Sequence, residues 1–159
     1  MVTNVYLPRP SRIVSVREEA QGIKTFTVRA PEGEPSWPRF APGQFLEVTV
    51  FGVGEAPFSI TSAPGSPGEL ELTVAAVGEV TEELHALAAG DVIGVRGPYG
   101  RGFPIGDMKG RRLLFVAGGI GLAPLRSLIG HVISERDDYG EISIYYGARN
   151  PSLLCFCED

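Results

Sequence analysis

Two glycine-bearing stretches of this sequence have the residue types that hold an anion. Gly119-Ile120-Gly121-Leu122-Ala123-Pro124 follows Gly118 and the apolar run Leu113 to Ala117, and opens an amphipathic segment. Glycines permit a tight turn and close backbone approach, and the free N–H groups and dipole of a helix N-terminus favour negative charge. Ala123 and Pro124 fall in the first helical turn, where a proline forfeits no hydrogen bond. The pattern is G-x-G-x-x-P, not the dinucleotide G-x-G-x-x-G, and no P-loop lysine follows. A plain strand-to-helix turn accounts for the glycines equally well. Tyr146-Gly147-Ala148-Arg149 ends the next apolar stretch. Ligands of open parallel sheets bind beyond such strand ends, so Arg149 could meet a phosphate; a plain surface arginine is the alternative.

Two further stretches pair hydroxyls with exposed amides. In Ala56-Pro57-Phe58-Ser59-Ile60-Thr61 the strand alternation puts Phe58 and Ile60 on one side and Ser59 and Thr61 on the other. An aromatic ring beside a hydroxyl and backbone amides suits a flat heterocycle with polar edges, and suits an ordinary sheet strand too. Gly78-Glu79-Val80-Thr81 precedes a short helix, with Thr81 read as its N-cap and the amides there open to a phosphate. Glu79, Glu82 and Glu83 oppose an anion unless they face solvent, and a simple helix cap explains the motif as well.

The elements that must position these residues are mostly strands. Arg12 to Arg17, Ile23 to Ala30, Gln44 to Val50, Pro57 to Thr61, Glu69 to Ala76 and Asp91 to Arg96 are short, apolar-rich and separated by glycine, proline and polar turns. Leu70, Leu72, Val74 and Ala76 alternate with Glu69, Glu71, Thr73 and Ala75. Ala63 to Gly68 reads as a turn and Val80 to Ala88 as a short helix. Six such strands predict a closed antiparallel barrel. After about residue 105 the pattern changes to strand, helix, strand. The helix carries Leu122, Leu125, Leu128, Ile129, Val132 and Ile133 on one face, and the following strand runs from Glu141 to Tyr146. The expectation is therefore an α+β chain: a six-stranded antiparallel Greek-key barrel over 1–105, then an incomplete β-α-β parallel unit over 106–159.

Composition narrows the function classes. The 159 residues carry a net charge of -5 with no basic stripe, which argues against nucleic acid. No apolar run approaches the ~20 residues of a membrane helix. The first ten residues lack a charged-then-apolar pattern, so the expected location is cytoplasmic. Cys155 and Cys157 are the two cysteines. Their spacing is poor for a mutual disulfide, and two thiols are too few for an iron–sulfur cluster. They read as tail thiols without a role.

Taken in order, Pro42-Gly43-Gln44-Phe45, APFSIT, GEVT, Gly97-Pro98-Tyr99-Gly100, GGIGLAP and YGAR resemble the ferredoxin–NADP reductase superfamily of flavin reductases. The resemblance is strongest to the branch of hydrogenase gamma, anaerobic sulfite reductase and dihydroorotate dehydrogenase electron-transfer subunits, and covers about Tyr6 to Leu154. It implies a flavin-binding barrel holding FAD, with Ala56 to Thr61 along the isoalloxazine and ribityl groups and Ser59 near the reactive nitrogen. Thr73, Val74 and Ala75 would pass the cofactor, and Gly78, Val80 and Thr81 would cradle its pyrophosphate. Gly118, Gly119, Gly121, Ala123 and Pro124 would take the pyrophosphate of NAD(P)H, with Gly147 and Arg149 near the nicotinamide nucleotide. The implied activity is NAD(P)H-dependent flavin oxidoreduction serving a redox partner subunit, an iron–sulfur or hydrogenase-like protein.

Two departures qualify that implication. The superfamily's arginine two residues before the Phe/Tyr-Ser pair is Ala56 here, so one charge-assisted contact to FAD is missing. The rest of the nucleotide domain and the cysteine-rich [2Fe–2S] loop of this branch have no counterpart in the chain. Two parallel strands and one helix cannot cover both faces of a sheet. Leu113 to Leu154 must then pack on the barrel, pair with a second copy, or need another chain. A flavin-binding or assembly module without hydride transfer is the alternative function, and a cofactor-free interaction barrel is a third reading.

Overall fold

The computed structural model describes residues 4, 6–65 and 68–157; the turn expected over Ala63 to Gly68 falls partly outside them. The barrel strands are β1 (Arg9–Ala20), β2 (Ile23–Arg29), β3 (Phe45–Val50), β4 (Gly54–Ser59), β5 (Glu69–Ala75) and β6 (Val92–Tyr99). They form one sheet in the order β4-β3-β6-β1-β2-β5, antiparallel at every pairing. β1 is longer than the sequence pattern suggested because it serves two partners. Arg9–Arg12 pair with β6, and Ile13–Ala20 pair with β2. β4 also starts earlier than expected, since Gly54–Ala56 already pair with Val48–Val50.

The expected closure is only partial. The edge strands β4 and β5 meet at a single bridge, Ile60 with Leu72. Beside it Thr61 N donates to Glu71 O at 2.8 Å. Side-chain hydroxyls replace the ladder there: Thr73 N donates to Thr61 Oγ1 at 3.0 Å and Glu71 N to Ser62 Oγ at 3.0 Å. The ring is therefore a six-stranded sheet with a stitched seam, not a continuous barrel. Its core holds Ile13, Phe26, Leu46, Val48, Leu72 and Ile93, all nearly inaccessible. Helix α1 (Glu79–Ala86) plugs one end with Leu84.

The second unit starts with the short helix α2 (Ile105–Met108), which the sequence reading missed. β7 (Leu113–Gly118) and β8 (Ile142–Gly147) then pair in parallel, joined by α3 (Leu122–Ser134). Phe115, Leu128, Val132 and Tyr139 form its core. Ile133 does not belong to the buried face as expected; it is exposed. α3 packs on the barrel so closely that a Cβ at Gly130 would lie 2.9 Å from Ala63 Cβ. Ser127 Oγ donates to Ser62 O at 2.7 Å across the same junction. The opposite sheet face is uncovered: Leu114, Val116 and Tyr145 are each more than 60% exposed. Of the three outcomes expected for Leu113 to Leu154, packing on the barrel is the one observed within this chain. Cys155 is not a tail thiol but 1% exposed, in a cluster with Ala20 and Ile23 that Ala75, Ile120 and Phe156 flank. Cys157 is exposed, and both are free thiols. Among the described residues no helix is long and apolar enough to cross a membrane.

Candidate nucleotide and flavin site

The ends of β5, β7 and β8 converge on a cleft of about 820 Å³. Ala75 lines it from the barrel, and Gly118, Gly119, Gly147 and Arg149 line it from the parallel unit. Five residues proposed from sequence are thus brought together from both units. The guanidinium of Arg149 is exposed and makes no hydrogen bond or ion pair to a described residue. The cleft also contains Gln21 and Gly22 at the β1–β2 hairpin tip, and Val77 and Ile120. Sequence reasoning had Ile120 only as part of the glycine turn and gave the other three no part in a site. Gln21 and Gly22 read there as a bare turn, and only the fold carries that hairpin to the cleft. Val77, 82% exposed, did leave a signal: an isolated apolar residue between a strand and a helix.

Gly119 and Gly147 line the cleft, whereas Gly121, Ala123 and Pro124 of the same turn and helix start do not. Gly119 has φ +52 and needs to be glycine for its backbone alone. Gly121, at φ -62, sits in ordinary helical geometry, and a Cβ there would meet nothing within 4 Å. Gly147 likewise faces open space. Neither conformation nor protein packing demands glycine at these two positions, and the space beside each is open. Ala123 is buried and Pro124 stands in the first turn of α3, so these two shape the helix start.

A second group of predicted residues lies on β4 and α1. Ala56, Phe58 and Ser59 are partly accessible and Pro57 is exposed. β4 and α1 run side by side, since a Cβ at Gly54 would reach within 3.0 Å of Val80 Cγ2. The Ser59 hydroxyl has no hydrogen-bond partner among the described residues; its carbonyl accepts from Thr61 Oγ1 at 3.5 Å. Thr81 is not the N-cap. Gly78 holds that position and Thr81 is the third helical residue. Its hydroxyl accepts from Val77 N at 2.8 Å and Gly78 N at 2.9 Å, and donates to Gly78 O at 2.7 Å. The first intrahelical bond is Glu82 N to Gly78 O at 2.8 Å, which leaves the amides of Glu79, Val80 and Thr81 open at the helix start. Glu79, Glu82 and Glu83 are all exposed, so they meet the condition for an anion to approach.

Other predicted residues are committed to the fold. Thr61 is fully buried, and Val74 is a core residue at 1% exposure. Thr73 Oγ1 is 2.8 Å from Thr25 Oγ1 inside the sheet. Their side chains face the interior, so only their backbones can pass a cofactor. Among the described residues no cation is seen to stand in for the missing arginine at Ala56. Arg96, on β6 two strands away, is engaged with Glu55 through two hydrogen bonds, one of them 3.1 Å from Nε to Oε2. This pairing holds the Glu55 carboxyl below its ordinary range.

Residues 11–103 match the FAD-binding domain of oxidoreductases, and residues 115–159 match the oxidoreductase NAD-binding domain. The chain belongs to the ferredoxin–NADP reductase superfamily of flavin oxidoreductases. It is 41% identical over 141 residues to the sulfhydrogenase 1 gamma subunit of Pyrococcus furiosus, covering 89% of this chain and 48% of that one. It is 40% identical over 149 residues to a probable dihydroorotate dehydrogenase B (NAD(+)) electron transfer subunit of Methanocaldococcus jannaschii, covering 92% and 50%. The ferredoxin-NADP+ reductase of Plasmodium falciparum has the same fold, with a TM-score of 0.82 at 18% identity, over 99% of this chain and 65% of that one. The chain spans about half the length of the curated relatives it matches. The matched families are an FAD-binding domain over the barrel and an NAD-binding domain over the second unit. The open amides of α1, the unpaired Ser59 hydroxyl and the open glycines of the cleft fit FAD and NAD(P)H.

Proposed function

We propose that this protein passes electrons between NAD(P)H and a redox partner, an iron–sulfur or hydrogenase-like subunit, through FAD. The cleft carries the reading: it sets the end of the flavin strand at Ala75 against the nucleotide turn at Gly118 and Gly119 and against Arg149. On this reading residues 1–105 hold FAD. Ala56 to Ser59 flank the ring system, and the backbone from Thr61 and from Thr73 to Ala75 passes beside it. The amides around Gly78, Val80 and Thr81 take the pyrophosphate. Residues 106–159 supply the nucleotide turn, from Gly118 to Pro124, with Gly147 and Arg149 beyond it. FAD, when bound, accepts a hydride and can release electrons singly, chemistry that belongs to the cofactor. The chain's own part is placement. Ser59 offers its hydroxyl to the reactive edge of the ring, and Arg149 balances phosphate charge. The protein works in the cytoplasm, where reduced pyridine nucleotide is made.

The second reading, a flavin-binding or assembly module without hydride transfer, draws on the uncovered sheet face. Packing of a second copy against that face would cover its apolar side chains. Mixing the FAD-loaded chain with NADH under anaerobic conditions separates the two. Loss of the flavin's visible absorbance supports electron transfer; an unchanged spectrum supports the module.

A further inference from the structure

We infer that Arg126 is a positioning residue that sets the nucleotide turn against the flavin strand. The inference rests on the electron-transfer reading above. Three segments that carry site residues meet at this side chain. α3 begins at the glycine turn and presents Arg126 about one turn later. β5 carries Glu71, two residues before the stretch from Thr73 to Ala75. The segment that follows Arg149 brings Phe156 back to the barrel.

Arg126 Nη1 donates to Glu71 Oε2 at 2.5 Å. The guanidinium carbon also lies 5.0 Å from the centroid of the Phe156 ring. Both charged side chains are mostly buried, at 24% and 22% exposure, so the pair is less screened than a surface bridge. Each partner is held from its other side. Glu71 N donates to Ser62 Oγ at 3.0 Å, and Ser127, next to Arg126, donates to Ser62 O at 2.7 Å. Phe156 N donates to Glu19 Oε2 at 3.3 Å, and Phe156 packs in the cluster that also contains Ala75 and Ile120 of the cleft. One planar cation thus ties the glycine turn, the flavin strand and the segment after Arg149 into a single frame. Lysine keeps the charge but not the planar fork that stacks and pairs at once.

Hydride transfer is sensitive to such framing, because a displacement of about 1 Å far from the reacting atoms costs up to ~10²-fold in rate. The test compares wild type with Arg126→Lys and Glu71→Gln. FAD per chain is expected unchanged, and the NADH dissociation constant within about threefold, while flavin reduction by NADH slows about ten- to hundredfold. The long-wavelength charge-transfer absorbance between nicotinamide and flavin weakens with it. In the chain without nucleotide, amide hydrogen exchange across 118–126 and 150–157 quickens in both variants. Wild-type reduction rates together with wild-type exchange in both variants overturn the inference. A wild-type chain that holds FAD but is not reduced by NADH removes the electron-transfer reading instead. The exchange data then decide the frame on their own: faster exchange supports it, and unchanged exchange overturns it.

Discussion

Placing a methyl or isopropyl group at Gly121 separates the cradle from the turn. The backbone there has φ -62 and ψ -11, which any residue adopts, and a Cβ would meet nothing within 4 Å. Gly121→Ala gains about 0.4–1 kcal/mol by restricting the unfolded chain. Loss of glycine at the helix N-cap offsets part of that. The melting temperature is expected to move by no more than about 2–4 °C. The nucleotide has no such freedom. A side chain in the open space displaces the pyrophosphate from at least one backbone amide, and a hydrogen bond to a charged group is worth about 1.5–3 kcal/mol. At about 1.4 kcal/mol per decade this weakens NADH binding roughly ten- to 150-fold, with Gly121→Val at the larger end. Calorimetric titration of the FAD-loaded variants at one fixed salt concentration measures it. Unaltered NADH affinity in a folded Gly121→Val protein would show that the turn holds no phosphate.

Three further outcomes follow from the same geometry. Ser59→Ala removes a hydroxyl with no described protein partner, so the melting temperature should hold while flavin reduction slows by about two- to tenfold, the worth of one neutral hydrogen bond; an equal rate in stopped-flow discards its role. Thr81→Val leaves the amides of Val77 and Gly78 without their acceptor, and should cost about 1–3 kcal/mol and loosen FAD; denaturant titration and flavin retention both report it, and wild-type values in both refute it. Burial holds the Cys155 thiol above its ordinary value of 9.0. The unfolded thiol ionises first, so stability falls as pH rises above about 9. Tyr139 and Tyr146, also raised by burial, extend the decline above 10.0. Cys155→Ala should flatten the first part of that decline in thermal melts, and an identical pH profile would contradict it.

The strands were legible in the sequence wherever one face is buried. The alternation around Leu70, Leu72 and Val74 maps onto β5, and the apolar run before Gly118 maps onto β7. The extra length of β1 was not legible, because Arg9–Arg12 are held by pairing with β6 and not by their own pattern. The seam between β4 and β5 was hidden for a similar reason. Nothing local marks Thr61 and Ser62 as hydroxyls that stand in for ladder bonds. The glycine turn and Arg149 were visible as motifs, but only the fold sets Gln21 and Val77 across from them. Cys155 was misread because its burial depends on Ala20 and Ile23, more than a hundred residues away in the chain.

The central claim is that the seamed barrel binds FAD even with Ala56 in place of an arginine. Purifying the chain without added cofactor, incubating it with excess FAD, removing free flavin and denaturing the protein gives the direct measurement. Flavin released into the supernatant should be FAD, at about one per chain, as a preorganised site with open amides at α1 would hold it. No bound flavin in a chain that is folded by its melting curve would contradict the claim, and would leave the fold of a flavin reductase without its cofactor.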